Sequence, residues 1–320
     1  MMNDDCQPIL IDCDTGIDDC YALVLALRAS SRLRVVGVTT VVGNVSLAQV
    51  TRNTAAVLHL CGASPHDTPL AAGMAEALLE PAHPCPQIHG ADGLGDLGLA
   101  AAHAERYAVD PRHACQLISD CARRYAGELT LVATAPLTNV AVAMRLDPLL
   151  RTRLRRIVLM GGAARVGGNQ RAWAEANVGD DPEAAHIVFT SGVDIVMYPW
   201  DVFERFSFPR ADAERFAAAH DPAARLVGQV MLSEINRFQL PAASMGDAGT
   251  IVYLLEPTAA TTERRHVAIE LAGAHTRGMT VVDLRPRVYE PDEPQRDANV
   301  TLITHIDVDR FRAVFNRYIR

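Results

Sequence analysis

Residues 8–19 read PILIDCDTGIDD and decide the fold. Four carboxylates, Asp12, Asp14, Asp18 and Asp19, fall in this stretch, between a short apolar run and a second one, YALVLAL (21–27). The first run predicts a buried strand, Gly16 a turn, and the residues after it a helix. So many acidic groups in one turn repel each other unless a cation sits among them, and oxygen ligands suit a hard one. The cluster therefore predicts a metal site at the carboxyl end of a strand, where open α/β sheets bind their ligands. Capping and the helix dipole alone account for Asp18 and Asp19. They account for neither Asp12 nor Asp14, whose two-residue spacing puts both side chains on the same side of an extended segment.

Outward from this turn, strand-like and helical runs alternate. LRVVGVTTVV (33–42) predicts a buried strand, followed by a helix over 46–60. LTLVA (129–133) precedes a helix through LTNVAVAMRL, RIVLMGG (156–162) another strand, PEAAHIVFTSG a helix and VDIVMYP a further strand. After Asp201 the pattern turns helical over 209–240, then returns to strands in HVAIEL, MTVVDL and VTLITHI, with a closing helix near FRAVFNRYI. Strands that are apolar throughout belong to parallel sheets covered on both faces. The expected fold is α/β: an open, mostly parallel, Rossmann-like sheet with helices on both faces and a helical insertion near 209–240. No linker composition and no repeat divides the chain, so residues 1–320 are expected to form one domain.

Composition narrows the partners. A net charge of −8 over 320 residues argues against nucleic acid, which needs concentrated basic groups. No apolar run approaches the roughly 20 residues of a membrane helix, and MMNDDCQPIL lacks the basic and apolar regions of a signal peptide. Seven cysteines without framework spacing fit free thiols in a reducing cytosol, so a cytoplasmic protein is expected. No CxxC pair or His/Cys cluster points to zinc.

Two glycine-rich stretches, HGADGLGDLG (89–98) and MGGAARVGGNQ (160–170), read as loops without a nucleotide-phosphate layout. Asn44 ends VTTVVGN, Thr134 and Thr138 follow a strand in LVATAPLTN, and Asn169, Glu175 and Asn177 share one loop. A single such residue is usually a turn former. Three loops bringing amides and hydroxyls to one sheet edge fit a polyhydroxylated ligand, whose hydroxyls they bond in both directions.

Together these segments resemble the inosine–uridine-preferring nucleoside hydrolases, from about Pro8 to the C-terminal helix. DCDTGIDD is similar to the family's DxDPGxDD, with Thr15 where proline is usual; VTTVVGN, LVATAPLTN, VLMGGA, the Asn169–Glu175–Asn177 spacing and DPEAAHIVF follow in the family's order. The resemblance implies hydrolysis of the N-glycosidic bond of ribonucleosides in purine or pyrimidine salvage, by a homodimer or homotetramer. It implies a calcium ion held by Asp14, Asp19, the backbone carbonyl of Thr134, and Asp247, because GDAGTIVYLLEP resembles the family's HDPxAVAYLLDP. Asp18, Asn44, Asn169, Glu175 and Asn177 would hold the ribose, and Asp14 would be the general base for a metal-bound water.

One position departs from the pattern. Gly246 stands where the family often has a histidine associated with protonating the leaving base. His220-Asp221-Pro222 spells the same motif, but the residues after it do not resemble YLLDP and it comes too soon after Asp201. His89 is therefore the expected proton donor. Trp173 and Trp200 are candidates for stacking on the base, and Glu234, Asn236 and Arg237 for facing it. Two rivals are a nucleoside- or ribose-binding protein without turnover, and a metal-dependent phosphatase, whose DxDx[TV] pattern fails at Gly16.

Overall fold

The computed structural model describes residues 6–286 and 296–320. The segment MMNDD, part of the signal-peptide reading, lies outside the described residues. The described strands are β1 Gln7–Cys13, β2 Leu33–Thr40, β3 Leu70–Ala72, β4 Val109–Asp110, β5 Thr130–Ala133, β6 Arg156–Met160, β7 Ile195–Tyr198, β8 Ser207–Pro209, β9 Ala242–Ser244, β10 Ala260–Arg265, β11 Val267–Ile269, β12 Thr280–Val282 and β13 Val300–Ile306. Nine of them form one sheet in the order β10-β13-β7-β6-β5-β1-β2-β3-β4. All its pairings are parallel except that of β10 with β13.

The chain runs outward from β1 through β2, β3 and β4, then returns to place β5 on β1's other side. That reversal is the topological switch point, and the carboxyl ends of β1 and β5 open a crevice there. The register sets Asp12 beside Thr39 of β2 and Ala133 of β5, so Asp14 and Thr134 emerge at the same edge.

The continuous apolar strands serve two cores. Ile9 and Ile11 of β1 join a cluster that includes Tyr21, Val24 and Val227, whereas Leu10 joins Leu117, Leu131 and Leu159 on the opposite face. Alternate side chains of one strand thus bury into opposite layers. Each such aliphatic contributes about 1.5–3 kcal/mol by burial.

The helical excursion has a simple closure. Helices Arg210–Ala217 and Pro222–Phe238 lie between β8 and β9, and these two strands pair antiparallel, Ser207 opposite Ser244. The excursion ends where it began, delivering Met245, Gly246 and Asp247 to the crevice. HVAIEL and MTVVDL do form strands, β11 and β12, but these pair with each other outside the main sheet.

Candidate active site

The turn after β1 is built from hydrogen bonds among its own acids. Asp19, in the first turn of helix Ile17–Arg28, accepts the Gly16 backbone N–H through Oδ2 at 2.9 Å and the Thr134 hydroxyl through Oδ1 at 2.7 Å. Asn44 Nδ2 also donates to Asp19 Oδ2, at 3.2 Å. Asp14 Oδ2 accepts the Asn44 backbone N–H at 2.8 Å. Asp12 points below the crevice, where its Oδ1 accepts from Thr39 Oγ1 at 2.6 Å and Asn139 Nδ2 at 2.8 Å, tying β1 to β2 and to the helix after β5.

Two glycines make this packing feasible. A β-carbon on Gly43 would overlap Asp14 Oδ2, and one on Gly16 would run into the His89 ring and stand 2.6 Å from Asn44 Nδ2.

Burial and mutual repulsion dominate the electrostatics. Burial, then the charge of Asp19, pushes Asp14 well above the usual carboxylate range. Asp247 is raised by burial and then by Asp18, Asp19 and Asp14. Burial and then Asp18 push Asp19 up to about 7. Asp14 Oδ1 and Asp247 Oδ1 are buried and have no hydrogen-bond partner. Carboxylate oxygens of Asp18, Asp19 and Asp247 lie within 4.8 Å of one another. Orphaned carboxylate oxygens beside crowded acids are what a hard cation relieves, so the residues present fit a metal ion. The three-carboxylate grouping includes Asp18, assigned above to the sugar, and leaves out Asp14, whose Oδ1 is buried without a partner, as is Asp12 Oδ2.

The far wall comes from the 161–180 loop. Glu175 caps helix Ala176–Asp180, its carboxylate accepting the N–H of Gly162 at 2.6 Å, Asn177 at 3.0 Å and Val178 at 3.3 Å. Burial nevertheless raises it to about 7. Asn177 Nδ2 donates to the carbonyls of Met160 at 3.1 Å and Thr134 at 3.2 Å. Asn169 Oδ1 accepts the Ala176 N–H at 2.9 Å, leaving its NH2 end for other partners.

His89 ends the short helix Pro86–His89 and is buried. Its Nδ1 accepts the Ile17 backbone N–H at 3.1 Å, which places the ring proton on Nε2. Burial lowers its pKa, against the pull of Asp18 and with the help of Arg237. Its Nδ1 stands 4.0 Å from Asp18 Oδ1, but a nitrogen already accepting from Ile17 has no proton to offer that carboxylate.

Asp14, Asp18, Asn44, His89, Thr134, Asn169, Glu175, Asn177 and Asp247 all line one cavity of 670 Å³, and Asp19 lies behind it. A more open groove of 1020 Å³ lies beyond the β3 and β4 edge, but its walls are mostly apolar and its Arg52 pairs with Glu105. Several expected contributors stand elsewhere. Thr138 donates to Asp181, Asn236 accepts from Arg210, and Arg237 pairs with Asp96. Glu234 accepts the Ser244 N–H, and Trp173 is half exposed; neither lines the cavity. Asp221 caps helix Pro222–Phe238 and pairs with Arg28. Trp200 does line the cavity, together with Phe203, Gln170 and Asp180, which the sequence pattern did not single out.

Fold and cavity together define an α/β protein with a carboxylate-walled small-molecule site at its switch point. The chain belongs to the inosine-uridine preferring nucleoside hydrolase family, which it matches over residues 9–313. It is 37% identical over 285 residues to the inosine-uridine preferring nucleoside hydrolase of Crithidia fasciculata, covering 87% of this chain and 88% of that one. It is 38% identical over 281 residues to the pyrimidine-specific ribonucleoside hydrolase RihA of Salmonella enteritidis, covering 86% and 88%. It superposes on the purine-preferring ribonucleoside hydrolase of Gardnerella vaginalis with a TM-score of 0.84 at 28% identity, covering 98% of both chains. The protein is therefore an N-ribosyl hydrolase, which sets aside the phosphatase and the non-enzymatic binder. Among the described residues no helix is long and apolar enough to cross a membrane.

Proposed function

We propose that this chain is a calcium-dependent ribonucleoside hydrolase in which Asp14 is the general base. The observation that carries the reading is the unequal use of the Asp14 carboxylate in the cavity wall: Oδ2 is held by the Asn44 N–H, while Oδ1 is buried without a hydrogen-bond partner. Asp14, Asp19, Asp247 and the Thr134 carbonyl would hold the ion, and Asp18, whose carboxylate groups with those of Asp19 and Asp247, would be close enough to share it. When bound, calcium supplies a positive centre that takes oxygen ligands, orients a vicinal diol and favours ionisation of water.

The protein groups do the rest. Asp14 Oδ1 takes a proton from the water that attacks the anomeric carbon. Asp18, Asn44, Asn169, Glu175 and Asn177 hold the ribose. Their carboxylates also stabilise the positive charge that builds on the sugar as the bond to the base breaks. His89, carrying its proton on Nε2, meets the leaving base. The same reading makes residues 1–320 one catalytic unit, assembled as a homodimer or homotetramer in the cytoplasm; the free cysteines fit a reducing compartment.

Ribose release from a panel of purine and pyrimidine ribonucleosides tests it. Activity should disappear after chelation and return with calcium. Full turnover in excess chelator would overturn the calcium assignment.

A further inference from the structure

Gly246, just before Asp247, has φ +37°. A β-carbon there would run into the Phe203 ring and come within 3.1 Å of Asp18 Cβ. Phe203 thus fills the volume, next to two site carboxylates, that any side chain at 246 would need. It ends the helix Trp200–Phe203, and its ring leans on Trp200 with centroids 4.7 Å apart and planes inclined at 33°. Phe203 is 8% exposed, Trp200 more so, and both line the cavity.

The other walls are of different character. The carboxylates, Asn44, Asn169, Asn177 and Gln170 line the cavity with hydrogen-bonding groups suited to a sugar. Trp200 and Phe203 form a continuous aromatic surface, and a ribonucleoside carries one part that is flat and aromatic.

We propose that Trp200 and Phe203 form the platform on which the nucleobase lies, with Phe203 as the residue that positions it. This rests on the ribosyl-hydrolase reading and extends it to the base. Stacking on an aromatic side chain accepts any base, because every base has a π-face. The arrangement also divides the labour: position 246 carries no proton donor, the ring in its place grips the base, and proton supply falls to the His89 side of the cavity.

Phe203→Leu keeps an apolar side chain of similar bulk and removes the ring. Relative to wild type, KM for ribonucleosides should rise roughly tenfold, while inhibition by free ribose and the melting temperature stay nearly unchanged. An unchanged KM, or equal weakening of ribose, overturns the platform. Should Phe203→Leu fail to fold, fluorescence decides. The chain has two tryptophans, so Trp173→Phe leaves Trp200 as the only one, read by excitation that spares tyrosine. Free hypoxanthine or uracil should quench it and ribose should not; no quenching by a base at concentrations that inhibit turnover overturns the proposal. A wild-type chain that cleaves no ribonucleoside and binds no ribose overturns the functional reading itself, a result distinct from either of these.

Discussion

The Asn44 backbone N–H donates to Asp14 Oδ2 at 2.8 Å, fixing the rotation of a carboxylate whose other oxygen has no partner. Asp14→Asn keeps the shape but removes the basic oxygen. We expect kcat to fall at least 100-fold with near-native circular dichroism. Ribose release checks this, and retention of a tenth of wild-type turnover would exclude Asp14 as the base.

Gly43 tests the same carboxylate without touching a charge. Because a β-carbon there would overlap Asp14 Oδ2, Gly43→Ala should turn Asp14 out of position. The expected result is a loss of activity approaching that of Asp14→Asn, read in the same assay. Normal turnover would mean that the placement of Asp14 tolerates displacement.

Glu175 holds three backbone N–H groups as well as facing the cavity. Glu175→Gln turns an acceptor-only group into one with a donating NH2, leaving buried N–H groups without partners. Chemical denaturation should show a loss of about 1–3 kcal/mol, accompanied by weaker ribose inhibition. A variant as stable as wild type would mean that the cap contributes little.

His89→Ala removes both the proposed donor and the acceptor for the Ile17 N–H. Natural nucleosides, whose bases leave poorly, should slow far more than p-nitrophenyl riboside, whose leaving group departs as an anion. Parallel rate measurements on the two substrates decide the matter, and equal slowing would assign His89 to structure alone.

Proton and metal binding should oppose each other. The folded carboxyls of Asp12, Asp19 and Glu175 are pushed to about 7, chiefly by burial, against about 4 in an unfolded chain. Between those values the metal-free folded state binds more protons than the unfolded one, so its stability falls as pH rises from about 4 to 7. Of these carboxyls, Asp19 is the proposed calcium ligand; calcium binding there would displace its proton, so the ion's stabilisation grows over the same window. Melting curves with calcium and with chelator at pH 5 and 7.5 should therefore diverge more at the higher pH; equal divergence would disprove this linkage.

The fold was legible where strands are buried on both faces. PILIDC, LRVVGVTT and RIVLM carry continuous apolar runs because layers cover each side. Leu70–Ala72 and Val109–Asp110 escaped notice because three and two residues establish no periodicity. Ala260–Arg265, ATTERR, escaped because an edge strand paired on one side only carries solvated side chains. Asp14, Asp18, Asn44, His89, Thr134, Asn169, Glu175, Asn177 and Asp247 stood out in the sequence and line one cavity, whereas Gln170 and Asp180 line it without having stood out. Phe203 did not stand out either, since an aromatic that lines a cavity reads the same as one that packs a core. Nor does sequence separate Glu234 and Arg237, on the helix leading to β9, from the site they approach but do not enter.

The contact between Phe203 and Gly246 also constrains how this sequence can change. A histidine introduced at 246 alone meets the ring and a strained left-handed backbone, an overpacking cost of about 1–3 kcal/mol before strain is counted. Shrinking Phe203 first leaves a gap beside Asp18 and Asp247. Each order of events passes through an impaired intermediate, so the two positions are locked as a pair, and placing a proton donor at 246 is a two-step change with no favourable first step.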